Sequence, residues 1–174
     1  MAGCMNLMRT TILILALLTT GLMAGIYVDW ANTIMPGLSG LDDRTFVLSQ
    51  QALNRAITNP LFLGVEFTGA LLLTGLGGLL HLRSEQRRAL IWIAVALVCY
   101  LIGVVITFVV HEPLNQKLMA TVELTSAAHF AAVRAQFDGA TWAAWHVVRT
   151  LATTVAFGCL TGAIVSRARG GATS

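Results

Sequence analysis

Apolar residues fall in four long blocks along this 174-residue chain, Thr10–Val28, Leu61–Leu80, Ala89–Val110 and about Ala144–Val165, with polar residues gathered between them. Each block is close to the roughly 20 residues that cross ~30 Å of hydrocarbon as a helix. The third block carries no charge at all. A membrane-crossing strand would need only about 10 residues and would alternate in polarity, and these blocks do neither. The pattern predicts an all-α protein: a transmembrane four-helix bundle forming one integral membrane domain over residues 1–174.

The long connections, 29–60 and 111–143, also carry helical patterns. In the first, Ser39 and Asp42 are N-cap candidates ahead of a stretch whose apolar face is Phe46, Leu53 and Ile57. In the second, a residue that precedes proline is pushed out of the α region, so the third span should end near Glu112 and Pro113 should open a new helix. Leu114, Leu118, Val122, Phe130, Val133 and Phe137 then recur at near-helical spacing. They predict one amphipathic helix to about Gln136, closed by Asp138-Gly139. Two such helices on one side of the bundle would make a lid.

Composition agrees with lipid as the main solvent, since 56% of residues are hydrophobic and 11% charged, against about 25% charged in soluble domains. The mean hydropathy is +0.76. A net charge of +3 does not point to nucleic acid, because the cations form short juxtamembrane clusters. Arg83, Arg87 and Arg88 outnumber Glu85 in the short connection, Arg167 and Arg169 follow the last span, and Arg9 precedes the first. The long connections are near neutral or acidic: Asp29, Asp42 and Asp43 with Arg44 and Arg55, then Glu112, Glu123 and Asp138 with Lys117 and Arg134. The positive-inside rule therefore puts both termini and the short connection in the cytoplasm and predicts a multi-pass plasma (inner) membrane protein. Arg9 and the small residues of Gly21-Leu22-Met23-Ala24-Gly25 would also suit a signal peptide, but the run is long for one and lacks a clean A-x-A site. Cys4, Cys99 and Cys159 form no CxxC pair, and the two within predicted spans, Cys99 and Cys159, read as small apolar fillers. No repeat is visible, and the chain ends in a small-residue tail, Gly170–Ser174.

Ionisable groups within hydrocarbon cost a few kcal/mol each and usually face the bundle interior. Here they share one level. Glu66 lies roughly 9 Å into the second span from Pro60. Tyr27 and Asp29 end the first span, His111 and Asn115 bracket the end of the third, and Trp142, Trp145, His146 and Arg149 open the fourth. All fall on the extracytoplasmic side, whereas the opposite half offers hydroxyls and glycines such as Thr74, Gly75, Gly77 and Gly78. Each also has a plain structural role: Glu66 and Arg149 as an interhelical salt bridge, the tryptophans as interfacial anchors, His111 as a wet interfacial residue, Tyr27 and Asp29 as a boundary. His81, among the cytoplasmic arginines, reads as a solvated loop residue. Trp142, Trp145 and Arg149 stand at i, i+3 and i+7 on one helical face, with His146 on the adjoining strip. A guanidinium fork, an imidazole and aromatic planes at one level suit a flat, anionic aromatic guest.

Two other readings use the same residues. His111, His129, His146 and Glu66 include ligand types that copper, zinc or haem iron accept, though they lack compact ligand spacing. A non-enzymatic membrane module binding a lipid, a quinone or a partner subunit, or forming a homo-oligomer, needs no reaction at all. A transporter fits poorly, because no span is broken midway by proline and no repeat is present.

The four-span layout, Pro113-Leu114-Asn115 after the third span, and the W-x-x-W-x-x-x-R string of Trp142, Trp145 and Arg149 resemble the anthrone oxygenase-like family of small integral membrane proteins. That family usually has asparagine after the second tryptophan, where this chain has His146. The resemblance implies an oxygenase that uses no cofactor and oxidises an anthrone-like, electron-rich phenolic or polyketide substrate with O2. His146 or His111 would serve as base, Arg149 and Asn115 as oxyanion donors, Glu66 as the group orienting Arg149 or an imidazole, and Trp142, Trp145 and Tyr27 as substrate contacts. The topology underlies every one of these placements. A reporter fused after Ser174 should be active only in the cytoplasm, and activity on the outer side would overturn the assignment.

Overall fold

The computed structural model describes residues 2–82, 86–120 and 126–171, and among them every regular element is helical. In chain order these are α1 (Ala2–Asp29), α2 (Met35–Ser39), α3 (Asp43–Ile57), α4 (Gly69–His81), α5 (Arg87–Ile106), α6 (Glu112–Met119), α7 (Ala127–Phe137) and α8 (Gly139–Gly171). π-Helical segments occupy Trp30–Ile34, Leu61–Thr68 and Thr107–His111. Four helical stretches, Gly3–Ser39, Leu61–His81, Arg87–Met119 and Ala127–Gly170, are long and apolar enough to cross a membrane. They contain the four apolar blocks, and all but the second run well past them.

The prolines explain much of the extra length. Glu112, expected to leave the α region ahead of Pro113, keeps helical angles of φ −62° and ψ −47°. The third span therefore does not end there. Thr107–His111 widens to a π-helix, and the Glu112 N–H donates to the Thr107 carbonyl five residues back. Shifting the register by one residue absorbs the proline without breaking the rod. The same device precedes Pro36, where the Met35 N–H reaches the Trp30 carbonyl. Pro60 stands at the start of the second π-segment.

The chain divides into two compact units, the first comprising 1–25, 60–102 and 151–174, the second 26–59 and 103–150. In the first unit, small residues set the helix neighbours, as expected where lipid removes the hydrophobic drive and close packing must replace it. A Cβ on Gly77 of α4 would sit 3.2 Å from Leu13 of α1, and one on Gly21 of α1 would sit 2.9 Å from Phe157 of α8. A Cβ on Gly162 of α8 would come 3.0 Å from Trp92 of α5, and one on Gly78 of α4 would come 3.6 Å from Ile93 of α5. These contacts join α1, α4, α5 and α8 in a ring. Its interior positions (Leu13, Ala16, Thr20 and Met23; Ala70, Thr74, Gly77 and His81; Ala89, Ile93, Ala96 and Tyr100; Thr153, Ala156, Leu160 and Ala163) repeat at three and four residues, the rhythm of left-handed helix packing.

In the second unit α3 packs against α2, α6 and α7. The shared core is Met35, Phe46, Val47, Leu114, Leu118, Phe130, Val133, Phe137 and Trp142. The Asp42 side chain caps α3 by accepting from the Thr45 hydroxyl and backbone N–H, and these bonds hold its carboxyl below the ordinary carboxylate range. Ser39 belongs to α2 instead, its hydroxyl donating to the Pro36 carbonyl. The buried face of α3 is Phe46, Val47, Gln50 and Gln51, with Leu53 and Ile57 only half-buried. Gln51 earns its burial by donating to the Leu118 carbonyl at 2.8 Å. The amphipathic pattern after Pro113 is realised as two helices, α6 and α7, and Val122 lies outside the described residues. So do Arg83, Glu85 and Glu123, which entered the charge comparison. The predicted stop holds. Asp138 takes a left-handed φ of 48° and separates α7 from α8, its carboxylate accepting from the Thr141 N–H. Aspartate tolerates this conformation better than most side chains.

Candidate functional site

α8 opens with Trp142, His146, Arg149 and Thr150, spaced at four, three and one residues, and all four are buried. Trp145 is not among them. It is 44% exposed, so the inward face is centred on Trp142 and His146, and Trp145 is turned outward. The expected pairing of the two tryptophans on one working face does not occur.

Arg149 is the centre of the cluster, at 8% exposure. Its Nε donates to His146 Nδ1 at 3.0 Å and its Nη1 to the Thr107 hydroxyl at 3.1 Å. The guanidinium lies 4.3 Å from the Tyr27 ring centroid and 5.6 Å from that of Trp142. Its Nη2 has no partner among the described residues. The ion pair formed among those residues is Arg134–Asp43, so the Arg149 charge is balanced by π-faces and neutral acceptors rather than by a carboxylate. Such a site is costly to bury and correspondingly receptive to an anion.

The bonds fix the His146 tautomer. Arginine has donors only, so Nδ1 must accept, and Nε2–H must donate to the Tyr27 carbonyl at 2.8 Å. His146 is therefore a neutral imidazole whose basic lone pair is occupied by Arg149. Trp142 stacks on it at 4.6 Å with planes 13° apart. His111 meets the Trp142 ring edge-on at 4.9 Å, and its two nitrogens each face a carbonyl at 3.3 Å, those of Ile106 and Trp142. One proton satisfies only one of these contacts, whereas an imidazolium would donate to both.

Asn115 ties α6 to α8, its Oδ1 accepting from the Trp142 indole N–H at 3.1 Å. It holds the tryptophan, leaving its own amide hydrogens without a partner among the described residues. Tyr27 joins the cluster through its ring and its carbonyl, and Asp29 is exposed. Glu66 lies in the other unit, half-buried in the second π-segment. His129 is exposed on α7, and no three His, Cys, Asp or Glu side chains converge on a common point among the described residues. His81 corrects the expectation of a solvated residue: it is fully buried, donating from Nδ1 to the Gly77 carbonyl at 2.7 Å and accepting from Arg167 at Nε2 at 2.7 Å. An arginine that donates to the ring's second nitrogen can bury a histidine even at a helix end.

Thr107 was not singled out from the sequence. Its signal was there, since Thr107, His111 and Asn115 recur every fourth residue. Trp30 also contributes, tilted against Trp142 at 5.8 Å.

Beside this packed cluster lies a half-open groove of about 510 Å³, lined by Met35, Phe46, Phe137, Ala31, Ala143 and Arg134 among others. Arg134 is anchored at one edge by Asp43 at 3.1 Å and by the Leu41 and Ser39 carbonyls, with its guanidinium over Phe46. Phe137, which lines the groove, is 6.1 Å from Trp142, so the tryptophan links the groove wall to His146. The volume is within the range of sites for drug-sized ligands.

The model of one protein family, described as anthrone oxygenase, matches residues 60–159. That range holds Glu66, Thr107, His111, Asn115, Trp142, His146 and Arg149, whereas Tyr27 precedes it. No curated protein and no solved structure matches the chain. The Asn115–Trp142 tie can be tested on its own. Asn115→Ala should destabilise the detergent-solubilised protein by about 1–2 kcal/mol by stranding the indole N–H, and Asn115→Asp, which keeps an acceptor, should restore most of it. Equal unfolding midpoints for wild type and Asn115→Ala would contradict the assignment.

Proposed function

Because this chain belongs to the anthrone oxygenase family, we propose that it is a membrane-embedded oxygenase acting on a flat, ionisable aromatic substrate of the hydroxyanthrone type. The observation that carries this reading is the buried, carboxylate-free guanidinium of Arg149 with an unengaged Nη2. In the proposed cycle the substrate docks its rings along Phe46, Phe137 and Met35. Its oxygen takes the open donors of Arg149 and draws the guanidinium off His146. His146 Nδ1, now free, accepts the acidic C–H proton. One event thus both stabilises the anion and releases the base.

The remaining chemistry belongs to substrate and O2, and no cofactor enters the proposal. The carbanion gives one electron to O2, the resulting radical and superoxide combine at carbon, and the imidazolium returns its proton to form a hydroperoxide. Loss of water leaves the new carbonyl, so anthrone plus O2 becomes anthraquinone plus water. The protein's share is to hold the anion, place the base and exclude bulk water.

A second reading, a non-enzymatic module that binds an aromatic amphiphile, has one observation in its favour: the groove is lined by Arg134 and not by Arg149. Turnover separates the two. With metals chelated, purified protein should convert a 1,8-dihydroxyanthrone to its quinone with O2 uptake, and 18O2 should label one quinone oxygen. A hydrogen bond to a charged group is worth about 1.5–3 kcal/mol, so Arg149→Ala should slow turnover roughly ten- to a hundredfold while the fold persists. Ala143→Phe, which fills the groove, should raise KM more than it lowers kcat. Binding without turnover across a panel of hydroxyanthrones would favour the module, and loss of activity on chelation would end the cofactor-free scheme.

A further inference from the structure

Threonines in these helices mostly follow one habit. Thr10, Thr19, Thr58, Thr107, Thr150 and Thr161 each donate their hydroxyl to the carbonyl four residues back. That bond is available to any helical threonine and is the usual way to bury a hydroxyl in an apolar medium. Thr20, Thr74 and Thr153 do not use it. Their hydroxyls have no partner among the described residues, although the residues are 0%, 1% and 1% exposed. Each stands at an interior position of the first unit, and each comes from a different helix, α1, α4 and α8. An unpaired hydroxyl in such surroundings costs on the order of 1–3 kcal/mol, and three together ask for a compensating partner.

Helix registers place the three along one line. Arg9 Nε donates to the Leu80 carbonyl and Leu13 meets Gly77, so α1 and α4 run antiparallel, with Thr74 level with about Ala16. Arg167 reaches the Asn6 carbonyl and the Thr10 hydroxyl, and Phe157 meets Gly21, so α8 is also antiparallel to α1, with Thr153 one turn beyond Phe157. Thr74 and Thr20 are then offset by about four residues and Thr20 and Thr153 by about five, roughly 6 and 7.5 Å along the axis at about 1.5 Å rise per residue. One molecule bonding at about 2.8 Å on either side reaches across the first step, and two in series across the second.

We infer that Thr20, Thr74 and Thr153 line an internal file that binds water within the first unit. Water fits the chemistry because each hydroxyl is both donor and acceptor, and the spacing matches one or two bridging molecules per step. The file gives the otherwise apolar half of the molecule a polar interior. It does not depend on the reaction proposed above.

Thr→Val keeps shape and removes the hydroxyl, and Thr→Ser keeps the hydroxyl. If water occupies the file, each single Thr→Val variant and the triple variant unfold at lower temperature in detergent, while Thr→Ser variants stay close to wild type. Radiolytic hydroxyl-radical footprinting, which labels side chains beside internal water, should then oxidise the fully buried Met23 in wild type and not in the triple valine variant. Unchanged or raised midpoints in the valine variants, or a Met23 that stays unlabelled in wild type, would overturn the inference, because dry hydroxyls are relieved by valine.

Discussion

The polar cluster of the second unit depends on a single hydrogen bond, from Arg149 Nε to His146 Nδ1. It settles which imidazole nitrogen carries the proton, turns Nε2–H onto the Tyr27 carbonyl, and so joins α8 to the end of α1. The guanidinium plane then lies on Tyr27 and reaches Thr107, and the imidazole plane receives Trp142, which Asn115 holds from the other edge. Four segments of sequence meet through one donor–acceptor pair. The charge that makes this possible is also its weakness as a purely structural device. A guanidinium held by neutral partners in a water-poor setting gives up stability that a carboxylate or an apolar side chain would supply. Under the reading advanced here, that cost is offset when an anionic substrate arrives.

The π-helical segments are the second constraint. Each lies within two residues of one of the three prolines, and the one before Pro113 carries the helix through a point where an end was expected. Thr107 and His111 both belong to the segment before Pro113, and Trp30 belongs to the one before Pro36. A bulge of this kind re-aims side chains by one residue, which is why two of the groups around Trp142 come from widened turns. The prolines here are less terminators than markers of that change of register.

Much of this was legible in the amino-acid order because lipid is a demanding solvent. The four spans follow from apolar length, and Arg149, His146, His111 and Tyr27 stand out because polar groups at that depth are rare. Asp42 and the Asp138 stop followed from cap chemistry alone. Other features were not legible, for physical reasons. Trp145 shares a face with Trp142 by spacing, yet the rotation of α8 is set by packing against other helices, which a single helix does not encode. His81 looked solvated because the donor to its Nε2, Arg167, lies 86 residues away. Thr107 passed unnoticed because a hydroxyl gains meaning only when a donor reaches it. The proline rule failed at Glu112 because the π-turn supplies an alternative that steric preference alone does not consider.

Arg149 holds His146 neutral with its proton on Nε2. Nitrogen-15 NMR of histidine-labelled protein in detergent reads this state directly. Without substrate, His146 should give one pyrrole-like and one pyridine-like nitrogen with the proton on Nε2, and Arg149→Ala should shift the Nδ1 resonance. Two pyrrole-like nitrogens, signifying an imidazolium, or a proton found on Nδ1, would contradict it.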